Sequence, residues 1–247
     1  QSGEYNNSVR LKCNNGEEAP VGCVATAVGQ ILAYHKKPEK VKGRIMHWEE
    51  MTKIDNGHMF SNMDSYGIRN NPIAKADIQY LLARLGGQDL LDMNYTCSDR
   101  GSSSHIGLAD LTFLRLGYEN TYITDYDSRK VISEIQNNRP VYIKGCDNVK
   151  GCHAWVLDGY VEKVRPKTIY IYCYYGIESF TENSSETLSL IHNNFGWEGS
   201  LYGFSTSTGW YHINVFDALG NKEYSNAYKS GTPYNYQFKK KIIVNIQ

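Results

Sequence analysis

Apolar residues recur at helical spacing through the first half of the chain and at alternate positions through the second. Val24, Ala27, Val28, Ile31, Leu32 and His35 form one stripe at intervals of three and four, and Pro38 ends it. That stripe predicts a helix opening at or next to Cys23. Ile78, Leu81, Leu82 and Leu85 form a second stripe in a helix expected over Ile73 to Leu85, and a third helix is expected near His105 to Leu116. Asp127 can cap a fourth, which would bury Val131, Ile132 and Ile135 before Pro140 stops it. Beyond Pro140 the period changes to two. Pro140 to Gly145, His153 to Tyr160, Thr168 to Tyr175, Glu186 to His192, Gly209 to Val215 and Lys240 to Ile246 read as strands. Helices followed by an antiparallel run predict an α+β protein of two lobes in one domain. Roughly 1–135 would be mainly helical and roughly 136–247 mainly antiparallel sheet, with the expected site in the cleft between them.

Composition narrows the function. The 247 residues fit one large domain, or two small lobes sharing a core. Lys and Arg number 26, as do Asp and Glu, so the chain lacks the positive footprint of a nucleic-acid binder. The longest uncharged stretch with a helical pattern, Val21 to Tyr34, falls short of the ~20 apolar residues of a membrane span. Cys-x-x-Cys, His-Glu-x-x-His, a phosphate-binding P-loop and a dinucleotide glycine fingerprint are all missing, so neither a metal nor a cofactor is expected.

Candidate chemistry centres on Val21-Gly22-Cys23-Val24-Ala25-Thr26-Ala27. A lone cysteine is most often a small buried hydrophobe. Here it stands at a helix N-terminus directly after a glycine, where the helix dipole and free N–H groups favour a thiolate. Its base would be His153, which opens the apolar strand His153-Ala154-Trp155-Val156-Leu157 and stands 130 residues after Cys23, within the range of papain-type enzymes. A third group should orient the imidazole. Asp158 is five residues further along the strand and so faces away from His153. Asn194, in Asn193-Asn194-Phe195-Gly196-Trp197, is the alternative, with Trp197 excluding water from the contact or serving only as a sheet aromatic.

These segments resemble the streptopain family of bacterial cysteine peptidases. Gly22 to Ala27, continuing through Gln30-Ile31-Leu32-Ala33-Tyr34-His35 to Pro38, is similar to that family's nucleophile segment. Asn138-Arg139-Pro140-Val141-Tyr142 with His153 to Gly159 is similar to its histidine segment. Asn194-Phe195-Gly196-Trp197, with Gly199 and Gly203-Phe204, resembles its asparagine–tryptophan segment, and Gln1-Ser2-Gly3-Glu4-Tyr5-Asn6 its oxyanion-hole glutamine region. Three features depart from the pattern. Asn194 lies 41 residues beyond His153, which implies an insertion over roughly 161–186; Phe195 stands where relatives usually carry tryptophan; and Gln1 is terminal.

The resemblance implies a papain-like fold and a secreted or envelope-exported bacterial cysteine endopeptidase acting on protein or peptide substrates. It would be made as a zymogen whose inhibitory pro-region is removed. Cys23, His153 and Asn194 would be catalytic, Gln1 and the Cys23 N–H would form the oxyanion hole, and Trp197 would support the pair. Export would suit a Cys146–Cys152 loop disulfide, although two free thiols fit the spacing as well. Cys173, on a strand face with Ile169 and Ile171, reads as an inert buried thiol. Three rivals stay open. A transglutaminase-type acyl transferase would want an aspartate on the strand after His153, and Thr168 to Ile177 has none. A metal site on Cys146, Cys152 and His153 lacks a fourth ligand. A catalytically inactive papain-like binding module would have no use for all three site residues.

Overall fold

A computed structural model describes residues 6, 9, 11–52, 71–98, 101–149, 151–171, 180–196, 200–201, 204–205, 208–218 and 234–247. The helices are α1 (Cys23–His35), α2 (Trp48–Met51), α3 (Pro72–Leu85), α4 (Ile106–Arg115) and α5 (Ser128–Gln136). Among the described residues six strands form the main sheet: β1 (Tyr122–Asp125), β2 (Val141–Cys146), β3 (Cys152–Ile171), β4 (Phe180–Asn194), β5 (Gly209–His212) and β6 (Phe238–Val244). Their order is β1-β6-β2-β3-β4-β5, and every neighbouring pair is antiparallel. The expected α+β architecture, helices with a large antiparallel sheet, is what the chain forms.

Each helix has a local cause. Asn71 caps α3 by accepting from the Ile73 and Ala74 N–H groups, with Pro72 in the first turn, where its missing N–H costs nothing. Asp127 caps α5 through the Arg129 N–H, as expected. The stripe on α1 buries Val24, Ala27, Val28, Ile31 and Leu32. Gly29 lets α1 approach α3 closely: a Cβ there would sit 3.3 Å from Leu82 Cδ2.

The sheet separates two cores. On one side Val28, Ile31 and Leu32 of α1, with Leu81 and Leu85 of α3 and Phe113 of α4, pack against Tyr142, Ala154, Val156 and Ile243. On the other side Val141, Ile143, Trp155, Leu157, Ile191 and Ile242 pack with Val131, Phe216 and Tyr236. The central strands are therefore apolar on both faces, and their sequences read as near-continuous apolar runs. Val131 of α5 belongs to this second core, although it falls in the stretch expected to be mainly helical lobe. Of the three residues expected to bury from α5, Val131 alone is fully buried; Ile132 and Ile135 are half-buried.

Two expectations about strands differ from the structure. The separate strands His153 to Tyr160 and Thr168 to Tyr175 are one strand, β3, running unbroken over the described residues to Ile171 and paired with β4 from Val156↔Asn194 to Ile171↔Phe180. The expected insertion is the outer end of this hairpin, with 172–179 outside the described residues. The short edge strand β1 was not anticipated; its four residues carry no alternating pattern long enough to read.

Candidate active site

The nucleophile's place is built by Gly22. It precedes α1 with φ 88° and ψ 152°, a conformation that disfavours any side chain, and a Cβ there would come within 2.6 Å of the Ser102 carbonyl oxygen. Glycine is the residue that fits. Its carbonyl accepts from the Thr26 N–H at 3.1 Å and the Thr26 hydroxyl at 3.0 Å, closing the first turn.

Cys23 is the first residue of α1, half-buried, and among the described residues it is the cysteine without a disulfide. The Ala154, Val24 and Cys23 backbone N–H groups all favour its anion. Pairing between β3 and β4 stops at Val156↔Asn194, so the backbone at Ala154 is left to meet the end of the helix. The sulfur thereby contacts the residue that follows His153. Burial outweighs the N–H groups and the nearby Lys144 ammonium, and pushes the thiol above its ordinary value. This corrects the expectation that the helix terminus would lower it.

His153 is buried, with its ring stacked on Tyr236 at 5.2 Å and lying 6.0 Å from Trp155 and 6.1 Å from Phe195. Desolvation lowers it to about 4. Nε2 lies 2.9 Å from the Phe195 carbonyl oxygen. A carbonyl can only accept, so the neutral ring carries its proton on Nε2 and its lone pair on Nδ1. Burial thus favours the neutral form of each group, thiol for Cys23 and imidazole for His153.

Asn194 lies at the site, and among the described residues its hydrogen bonds go to α1 and to its own turn. Its Oδ1 accepts from Gln30 Nε2 at 3.1 Å and from the Gly196 N–H at 3.2 Å. The expected amide–imidazole contact is replaced by the backbone carbonyl of the next residue, because the chain turns at Gly196 (φ 70°) and brings that carbonyl over the ring. Asp158 does face away from His153 and instead meets His192 Nδ1. Gln1, Trp197 and Cys173 lie outside the described residues.

The approach to His153 is tied down twice. Cys146 and Cys152, opposite each other on β2 and β3, form a disulfide, so they supply no thiolates to a metal; Cys13 and Cys97 form another. Inside the loop, Asp147 accepts from the Val149 and Gly151 N–H groups at 2.8 and 2.9 Å. Sequence reasoning passed over Asp147, Gln30, Tyr236 and the Phe195 carbonyl. Gln30 had a signal, since positions 23, 26 and 30 share one face of α1; a backbone carbonyl has none.

A helix bearing a half-buried cysteine at its N-terminus, set against a sheet that carries a histidine, is the arrangement of papain-like cysteine proteases. The structure matches active wild-type interpain A cysteine protease of Prevotella intermedia with a TM-score of 0.60 and 19% identity, over 100% of this chain and 90% of that one. It matches a prointerpain A fragment with a TM-score of 0.56 and 20% identity, over 100% and 68%. At such identities the likeness is one of fold. Residues 1–205 match the Peptidase C10 family, and the chain belongs to that family. It is 28% identical over 162 residues to the thiol protease/hemagglutinin PrtT of Porphyromonas gingivalis, covering 59% of this chain and 18% of that protein. It is 27% identical over 170 residues to streptopain of Streptococcus pyogenes, covering 58% and 41%. The chain thus matches less than half the length of either relative.

Proposed function

We propose that the chain is a cysteine endopeptidase in which Cys23 attacks the peptide carbonyl and His153 handles the protons. The observation that carries this reading is the Cys23 sulfur held at the mouth of α1 against the Ala154 N–H, one residue from His153. Starting from thiol and imidazole, Nδ1 takes the thiol proton as the sulfur attacks the substrate carbonyl carbon. The imidazolium so formed keeps its Nε2–H on the Phe195 carbonyl, which stabilises the new charge. The tetrahedral oxyanion would be met by the Cys23 backbone N–H and the Gln1 side-chain amide; a donor of this kind typically contributes ~3 kcal/mol at the transition state. As the C–N bond breaks, His153 returns its proton to the leaving amine, and it then deprotonates the water that hydrolyses the thioester. Asn194 serves by holding the turn that carries Phe195, and Trp197 by covering the histidine.

Substrates are proteins or peptides, and the enzyme is a secreted or envelope-exported bacterial protein matured from a zymogen by loss of its pro-region. The two disulfides support an oxidising compartment. Among the described residues no helix is long and apolar enough to cross a membrane.

Labelling with an epoxide or chloromethyl-ketone thiol-protease inhibitor should place the adduct on Cys23. Cys23→Ala should abolish peptide hydrolysis and leave the fold intact. An adduct mapped by mass spectrometry to another cysteine, or undiminished hydrolysis by Cys23→Ala, overturns the assignment.

A further inference from the structure

The face of α1 that carries Cys23 continues through Thr26 to Gln30, each half-buried, beside the fully buried stripe that packs into the core. Seven residues separate Cys23 from Gln30, about 10 Å along the axis. At that distance the helix meets the segment Asn194–Phe195–Gly196. Gly196 lies so close that a Cβ on it would stand 3.0 Å from Thr26 Cγ2, and Gln30 Nε2 is 3.1 Å from Asn194 Oδ1.

The polarity of these contacts is fixed by the backbone. The Gly196 N–H can only donate, so the Asn194 atom it meets must be oxygen. The Gln30 atom facing that same oxygen must then be the NH2 group. The other half of the Gln30 amide, Oε1, is buried without a partner among the described residues. An apolar side chain would suit that packing better, so the residue is there for its donor. The residue between the two anchored ones is Phe195, whose carbonyl accepts from His153 Nε2 at 2.9 Å.

We propose that Gln30 is a positioning residue for the imidazole: by donating to Asn194 Oδ1 it holds the 194–196 turn so that the Phe195 carbonyl keeps the proton of His153 on Nε2. The inference rests on reading His153 as the base of Cys23, because with the proton held on Nε2 it is the Nδ1 lone pair that takes the thiol proton. The helix that presents the nucleophile thus also sets the tautomer of the base, and the two lobes are coupled through one amide.

The test replaces the donor while keeping the volume. In Gln30→Met, kcat on a peptide substrate should fall roughly 10-fold with KM unchanged, because the base is retained and only its aim and tautomer are loosened. Nitrogen NMR on histidine-labelled protein should show His153 as the Nε2–H tautomer in the parent and as a mixture in the variant. Gln30→Glu adds a readout that simple destabilisation would not produce: ionised, it turns an acceptor toward Asn194 Oδ1, whereas protonated it can donate again. Its activity relative to the parent should therefore rise as pH falls from 8 to 5. A folded Gln30→Met with parental kcat and an unchanged tautomer overturns the proposal. If Gln30→Met does not fold, a pH-independent activity ratio for Gln30→Glu overturns it, and a ratio rising toward pH 5 supports it. The tautomer measurement needs no catalysis, so failure of the peptidase reading would show separately, as full hydrolysis by Cys23→Ala.

Discussion

Asp147 Oδ2 accepts from the Tyr234 backbone N–H at 2.6 Å, joining the loop that leads into His153 to the segment whose Tyr236 ring stacks on that histidine. The same carboxylate takes two loop N–H groups on its other oxygen, so a single buried side chain shapes both walls of the imidazole's pocket. Asp147→Ala leaves three donors unsatisfied and should cost about 3 kcal/mol by urea unfolding. Asp147→Asn keeps one acceptor oxygen and should lose roughly half as much. A loss under about 0.5 kcal/mol in the alanine variant would show that water replaces the carboxylate.

The buried His153 makes stability depend on pH with a definite sign. Its folded-state value is lowered from 6.5 to about 4 by desolvation. Above 6.5 both folded and unfolded chains hold it neutral and it contributes no dependence. As pH falls through 6.5 the unfolded chain binds a proton that the folded chain refuses, and stability drops until the folded form also protonates near 4. The full loss is roughly 3 kcal/mol. Unfolding measured from pH 7.5 to 3.5 should show the parent losing about that much relative to His153→Gln. Parallel curves for the two proteins would mean that the ring is not desolvated.

Gly22→Ala tests the construction of the nucleophile's turn. The left-handed backbone and the Ser102 carbonyl 2.6 Å from the new Cβ act together, so the loop carrying Ser102 or the start of α1 must move. The expected cost is roughly 2–4 kcal/mol, with hydrolysis reduced more than stability alone explains. Thermal melting and kcat measured on the same preparation separate the two effects.

The parts of this structure that were legible in the sequence are those where burial imposes a period. The α1 stripe and the glycine–cysteine junction could be read because a packed helix needs its apolar residues three and four apart and its entry turn needs a glycine. The sequence predicts two strands where β3 is one because 161–167, Val-Glu-Lys-Val-Arg-Pro-Lys, is charged and contains a proline. The structure admits both features, since among the described residues this stretch pairs with β4 alone and projects from the sheet, and Pro166 in such a ribbon can turn its missing donor outward. The orienting group of His153 was out of reach for a different reason. A backbone carbonyl leaves no trace in residue identity, whereas the neighbouring Asn194 does, and its amide anchors the turn instead.

That projecting ribbon gives the last prediction. Strand β4 pairs with β5 over Leu190 to Asn193, the Ser189 carbonyl accepts from the Ile213 N–H, and beyond Glu162↔Ser189 each strand of the hairpin pairs, among the described residues, with the other alone. Glu162 to Lys167 and Glu182 to Thr187 are exposed, with Val164 63% exposed. The Arg165–Glu186 ion pair between them lies in solvent and is worth at most about 1 kcal/mol. Neither core uses these residues, and His153 lies at the opposite end of β3. Joining Lys163 to Leu188 through an Asn-Gly turn should therefore leave kcat and KM for short peptides within twofold of the parent and change unfolding free energy by no more than about 1 kcal/mol. Loss of short-peptide hydrolysis in a folded, shortened protein would mean that the ribbon reaches the site. If cleavage of a folded protein substrate falls while peptide cleavage is unchanged, the ribbon instead contacts substrate away from the scissile bond.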